Sequence, residues 1–177
     1  MKPLQMIAMG QVLVLVDAFF GGWDGVPDPL GWLLVLAGLL ALRDHLDVRS
    51  LVATAVTSLL VALATYPPAV GAGLDDNTGW VASLPALAFA FVLCTAIAEQ
   101  DEPLAGRFRV VRWLVVALAA GPVIVLGAGV DVLREPLGTL SVATQAYLIY
   151  LVFAASGRVP VAPSDDAGPP PVGSGPA

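Results

Sequence analysis

Six stretches of the chain are continuously apolar, and their length decides what the chain can fold into. They are Leu4–Phe20, Leu30–Leu42, Leu51–Tyr66, Trp80–Ala98, Val110–Val130 and Leu137–Ala155. A helix needs about 20 apolar residues to cross roughly 30 Å of hydrocarbon. Strands of a membrane barrel alternate inward and outward over about ten residues, and these runs do not alternate. Composition points the same way. Of 177 residues, 58% are hydrophobic and 12% charged, with a mean hydropathy of +0.85. A chain of this size cannot bury so much apolar surface behind so few charges in water. An ordinary soluble domain is excluded, and so is disorder as the dominant state. The expected fold class is all-α: a polytopic transmembrane helical bundle of about six spans.

The connections read as helix boundaries. Gly21-Gly22 ends the first run and Pro67-Pro68 the third, and Pro103 and Gly106 separate the fourth from the fifth. The second run is short and is expected to continue past Arg43, whose long side chain can snorkel to the headgroups. Leu4–Phe20 has a second reading as a signal peptide. It lacks a small-x-small cleavage site, and Pro27 and Pro29 follow closely. Residues 1–155 are therefore expected to form the membrane domain. Residues 156–177 form a second region, in which ten of 22 are Pro or Gly. Such a tail cannot bury enough apolar area to offset the entropy of ordering and is expected to be a disordered cytoplasmic extension. Pro160-Val161-Ala162-Pro163 also fits the loose PxxP pattern of partner-binding segments.

Few charges still carry an orientation. With six spans, Lys2, Arg43, Arg49, Arg107, Arg109 and Arg158 share one side, with Arg112 at the adjoining helix end. Only Arg134 lies opposite. The positive-inside rule then puts both termini in the cytoplasm. The chain is placed as a multi-pass protein of a cell inner (plasma) membrane, and its low lysine count and Ala/Val/Leu/Gly/Pro-rich composition suggest a bacterial source. The acids divide evenly between the two sides, so the net charge of −6 is not one acidic field.

Each outer loop ends alike: Asp28-Pro29-Leu30-Gly31-Trp32, Asp76-Asn77-Thr78-Gly79-Trp80 and Glu135-Pro136-Leu137-Gly138-Thr139. An acid at a helix start caps free N–H groups and meets the positive end of the dipole. Proline suits the first helical position, and tryptophan the interface. Asp28, Asp76 and Glu135 are the expected helix caps, and the spans are expected to form three αα-hairpins. Val26-Pro27-Asp28-Pro29-Leu30-Gly31-Trp32-Leu33-Leu34, running on to Ala37-Gly38-Leu39, resembles the PDxxGYxL…GL hairpin of uncharacterised bacterial multi-pass membrane proteins. Tryptophan stands here for the more usual tyrosine, and the resemblance implies no activity.

Candidate functional residues are few. Asp17 follows Val12–Val16 and reads either as a proton or cation site inside the outer leaflet or as a helix-end acid reaching the interface. Asp131 at the outer end of the fifth span reads the same two ways. Thr54 and Ser58 fall near one face of the third span, Gln145 lies in the sixth and Gln11 in the first. They read as the lining of a polar path or as groups bonding their own backbone and neighbouring helices. The outer acids lack the spacing of a calcium loop. Gly79, Ser83, Ala86, Ala90, Cys94 and Ala98 form a small-residue stripe apt for close helix contact. His45 is the single histidine and Cys94 the single cysteine, so no metal cluster, disulfide or histidine-activated serine is expected. HExxH, GxSxG and a Walker A loop are missing. No cofactor is expected, no catalytic activity, and no nucleic-acid partner. The expected function is a non-catalytic accessory or scaffold subunit in the bilayer, with a membrane-protein partner or as a homo-oligomer. The alternative is a small solute or ion transporter or channel.

Overall fold

The computed structural model describes residues 2–16, 19–20, 23–24, 28–43, 47–67, 70, 73–128 and 131–158. Asp17, His45 and the tail from 159 onward lie outside the described residues. Among the described residues, six helices carry the fold: α1 Pro3–Leu15, α2 Asp28–Leu42, α3 Arg49–Thr65, α4 Asp76–Gln100, α5 Glu102–Ala128 and α6 Arg134–Ser156. A short 3-10 turn, Asp131–Leu133, leads into α6.

Each helix packs against its neighbours in the chain, and α6 returns to pack on α1, so the six close into a ring. The interior is one apolar cluster to which every helix contributes: Ile7, Val35 and Leu39, Leu51, Phe89 and Leu93, Phe108 and Val111, Leu148 and Leu151. Trp32 meets Phe89 edge-on, with centroids 5.3 Å apart and planes at 87°, a favoured aromatic geometry.

The tightest crossing joins α1 to α2. The helices run antiparallel, with Gly38 beside Pro3 and Ile7 and Gly31 beside Gly10 and Val14. A Cβ on Gly10 would stand 2.5 Å from the carbonyl oxygen of Gly31, and one on Gly31 would stand 2.7 Å from that of Gly10. Only glycine allows two helix backbones this close. Sequence reasoning assigned close contact to the α4 stripe instead.

Several boundaries differ from expectation. The first helix stops at Leu15, not at Phe20. Phe19–Phe20 pairs antiparallel with Trp23–Asp24, Phe19 opposite Asp24 and Phe20 opposite Trp23. Aromatic residues favour extended backbone, and Gly21-Gly22 is the sequence of a two-residue hairpin connection. α2 ends at Leu42, with Arg43 in a turn rather than inside a longer helix. Pro103 and Gly106 do not break the chain: both lie within α5, which begins at Glu102. Proline in a first helical turn forfeits no intrahelical bond, because the first N–H groups have none to make.

Among the described residues, three helices are long and apolar enough to cross a membrane: Asn77–Gln100, Glu102–Val125 and Arg134–Ser156. α1, α2 and α3 are apolar but shorter, at 13, 15 and 17 residues. The regular structure of the described residues is thus helical apart from the two-residue ladder, and compatible with a membrane protein by length and composition.

Candidate functional site

A cavity of about 600 Å³ opens where the N-terminal ends of α2, α4 and α6 meet the C-terminal ends of α1 and α5. This volume falls within the usual range for small-molecule sites. Its hollow follows from small side chains. Gly79, Ser83 and Ala86 on α4 face Gly138 and Ser141 on α6. A Cβ at Gly79 or Gly138 would meet nothing within 4 Å. The stripe expected to make close helix contact therefore divides: its outer part lines the cavity, and Ala90 and Cys94 are buried in the core below.

The walls are apolar, with Leu87, Leu118, Val125 and Val142 prominent. Two tryptophans, Trp32 and Trp80, line it as well. Trp80 donates its Nε1–H to the carbonyl of Ala119 on α5, at 3.2 Å. Pro122, three residues on, brings no N–H to the α5 ladder and so leaves the carbonyl of Leu118 without its usual partner. The Trp80 bond secures α4 to α5 beside this weakened turn.

Polar groups occupy the two ends. Asp75 and Arg134 belong to the outer end. Eleven residues along α6, about 16 Å deeper at 1.5 Å per residue, Gln145 donates its Nε2–H to Oε1 of Gln11 on α1. This amide pair closes the ring between its first and last helices. Gln11 is 3% exposed and Thr144, next to Gln145, is 5% exposed. Nε2 of Gln11 and Oγ1 of Thr144 have no hydrogen-bond partner among the described residues. An unmet polar atom at this depth is unusual and marks a place for a water or another polar group. Of the described residues that line the cavity, only Asp75 and Arg134 are charged. The inner floor is polar without charge.

Not all expected residues meet here. Gln145 is at the cavity. Thr54 and Ser58 are on α3, which does not reach it. The Thr54 hydroxyl donates to the carbonyls of Ser50 and Leu51, and that of Ser58 to the carbonyl of Thr54. Thr54 borders a separate shallow groove against Val81, Leu84 and Pro85 of α4. Asp131 begins the 3-10 turn, and its side chain lies outside the described residues, as Asp17 does entirely.

The caps also shift. On α4 the cap is Asp75, one residue before the expected Asp76; its carboxylate accepts from Thr78 N–H at 2.8 Å. Hydrogen bonds from Thr78, through its side chain and its backbone N–H, hold the Asp75 carboxyl below its ordinary value of 3.8. On α6 the cap position is Leu133, with no side-chain cap, so Glu135 is a first-turn acid facing the dipole. Asp28 is likewise a first-turn acid, of α2.

Among the described residues, no three His, Cys, Asp or Glu side chains come together as a metal site. Cys94 is a buried free thiol in the core, away from the cavity lining. No family model matches the chain, and neither a curated protein nor a solved structure shows significant similarity to it.

Proposed function

We propose that the chain is a six-span protein of a bacterial inner membrane, built as three helical hairpins with both ends cytoplasmic, that takes up a small uncharged solute from the outer side. One observation carries the solute reading. Among the described residues, the cavity has charge only at its rim, apolar walls, and an uncharged amide floor about halfway down the bundle. A charged solute would lose its hydration at that floor without finding an opposite charge, a large penalty. A neutral molecule with a hydrogen-bonding group suffers no such loss. Below the floor, Ile7, Phe89, Leu93, Leu148 and Leu151 pack without gaps to solvent, as expected of a transporter open to one side only.

Six spans are supported by the outward faces of the short helices. Leu30, Leu33 and Leu40 on α2, and Val56, Leu60 and Leu63 on α3, are large, apolar and exposed. A surface helix in water would carry polar residues there. The bacterial placement rests on the composition and on the hairpin resemblance around Asp28–Trp32, and the orientation on the gathering of basic residues at one end of the bundle.

Trp32 and Trp80 make the test direct. Purified protein is titrated with 1-decanol, decanoate and decyltrimethylammonium while tryptophan emission is followed. Saturable response to decanol alone, abolished by Gly138→Phe, supports the reading, since Gly138 has open space to receive a ring. No saturable response to any of the three overturns it. Stoichiometric co-purification of a membrane partner with an unresponsive cavity would instead favour the accessory-subunit function.

A further inference from the structure

We propose that Arg109 and Arg112 of α5, with Trp113 and with Phe91 of α4, bind the phosphate of an anionic phospholipid at the end of the bundle holding the α4–α5 junction. The argument begins with length. α4 and α5 have 25 and 27 residues, about 38 and 40 Å at 1.5 Å per residue. Both exceed the roughly 30 Å of hydrocarbon by some 8–10 Å. Arg112 lies ten residues into α5, about 15 Å along its axis. Even with all the excess placed at this end, its Cα is about 5 Å inside the hydrocarbon boundary. Arg109 is one turn nearer the headgroups on the same side of the helix.

That side faces outward. Trp113 is 65% and Val110 57% exposed, Arg109 is exposed too, and Arg112 is half-buried at the edge of this face. An arginine at such depth on a lipid-facing surface is costly unless its charge is met. Part of the compensation is visible. The Arg112 guanidinium sits 5.7 Å from the Phe91 ring centroid and 5.9 Å from that of Trp113, within cation–π range. The aromatic rings hold the guanidinium but do not neutralise it. Asp101, the buried carboxylate at this end, pairs with Arg158 instead. Among the described residues, neither Arg109 nor Arg112 pairs with a carboxylate. A guanidinium presents a planar fork of donors that matches a phosphate, and a second arginine one turn away serves the same anion. A phospholipid delivers that phosphate at the required depth, with its acyl chains against Val110 and the Trp113 face.

This site is independent of the solute cavity, which lies at the opposite end of the bundle. The test uses Trp113 as reporter. The full chain is reconstituted in phosphatidylcholine vesicles containing an equal small fraction of either dibrominated phosphatidylglycerol or dibrominated phosphatidylcholine. Quenching of Trp113 is isolated as the difference between wild type and Trp113→Phe. The expected result is a preference for the anionic lipid of about fivefold for each arginine engaged. Arg112→Gln reduces it, Arg109→Gln with Arg112→Gln abolishes it, and Arg112→Lys, which keeps the charge but loses the planar fork, retains part of it. Arg107→Gln, on another face, leaves it unchanged. Equal quenching by the two brominated lipids in wild type overturns the proposal. Loss of the preference on adding millimolar inorganic phosphate would assign the site to a free anion and overturn the lipid.

Discussion

Replacing Gly10 by alanine separates backbone contact from mere small-residue composition. The new Cβ would stand 2.5 Å from the Gly31 carbonyl oxygen, 2.7 Å from Val35 Cγ2 and 2.9 Å from the Val35 nitrogen. Ordinary contact begins near 3.4 Å, so α1 and α2 must part by about 0.9 Å. Two of the three obstructing atoms are backbone and cannot rotate away. Overpacking of this kind costs about 1–3 kcal/mol. A gap of 0.5–1 Å also forfeits roughly a quarter to a half of the dispersion well for the atoms it separates. Against this, alanine is favoured over glycine in a helix by about 1 kcal/mol. The expected net loss is about 1–2 kcal/mol for Gly10→Ala and similar for Gly31→Ala, whose Cβ meets the Gly10 carbonyl oxygen at 2.7 Å. The double variant should lose less than the sum, because one separation accommodates both methyl groups. Gly79→Ala and Gly138→Ala are internal controls: nothing lies within 4 Å of either Cβ, so each should be neutral or stabilising by up to about 1 kcal/mol. The measurement is the midpoint of reversible SDS-induced unfolding in mixed micelles. If Gly10→Ala unfolds at the same denaturant fraction as Gly138→Ala, the close-crossing argument is wrong.

Three further outcomes are expected. Asp75→Ala should fray the first turn of α4, seen as faster hydrogen exchange at the Thr78 amide. Because hydrogen bonds lower the folded-state value of Asp75, its contribution is present above the ordinary carboxylate range and disappears as pH falls through the lowered value; a Thr78 amide insensitive to both changes would remove the cap. At the other end, Arg158 lies 3.9 Å from Asp101, with side chains 53% and 3% exposed. A double-mutant cycle should give a coupling of about 1 kcal/mol or less, because the arginine is half in solvent. Arg158→Gln should nevertheless destabilise more than Asp101→Asn, since it leaves a buried carboxylate alone, and the reverse order would refute this. Finally Cys94, 1% exposed, should resist maleimide in the folded protein and react on unfolding; prompt labelling without denaturant would show that the α4 core opens.

What the sequence reveals depends on whether the physics is local. Apolar runs are local, so a helix end could be located to within a few residues where the run gave way to polar chemistry, as at Ser156, whereas the stop of α2 at Leu42, short of the expected continuation past Arg43, was not legible. The early end of α1 at Leu15 was hidden inside a largely hydrophobic run; only Gly21-Gly22 between Phe19-Phe20 and Trp23 pointed to the Phe19–Phe20 ladder. Bonds of Thr54 and Ser58 to their own helix were also legible, because a hydroxyl in an apolar helix has its carbonyls within reach. Gln11 and Gln145 each stood out as an amide that must find a partner. That they find one another requires α6 to return against α1, which no spacing along the chain encodes.

The three glycines of the acid-x-x-Gly pattern make the limit plain. Gly31, Gly79 and Gly138 sit at equivalent points of three helix starts, and sequence treats them alike. In the folded chain Gly31 lies against the backbone of α1, whereas Gly79 and Gly138 border empty space. The difference lies in the opposing helix. α1 presents Gly10 to Gly31, so two bare backbones can touch. Across from Gly79 and Gly138 the facing residues are small as well, but those helices are held apart lower down by Phe89, Leu93, Leu148 and Leu151. A small residue closes a gap only where the helices can follow it inward; where large side chains fix their separation, the same residue leaves a hollow. The shared motif therefore records how these helices begin, while the cavity arises from what lies a few turns below.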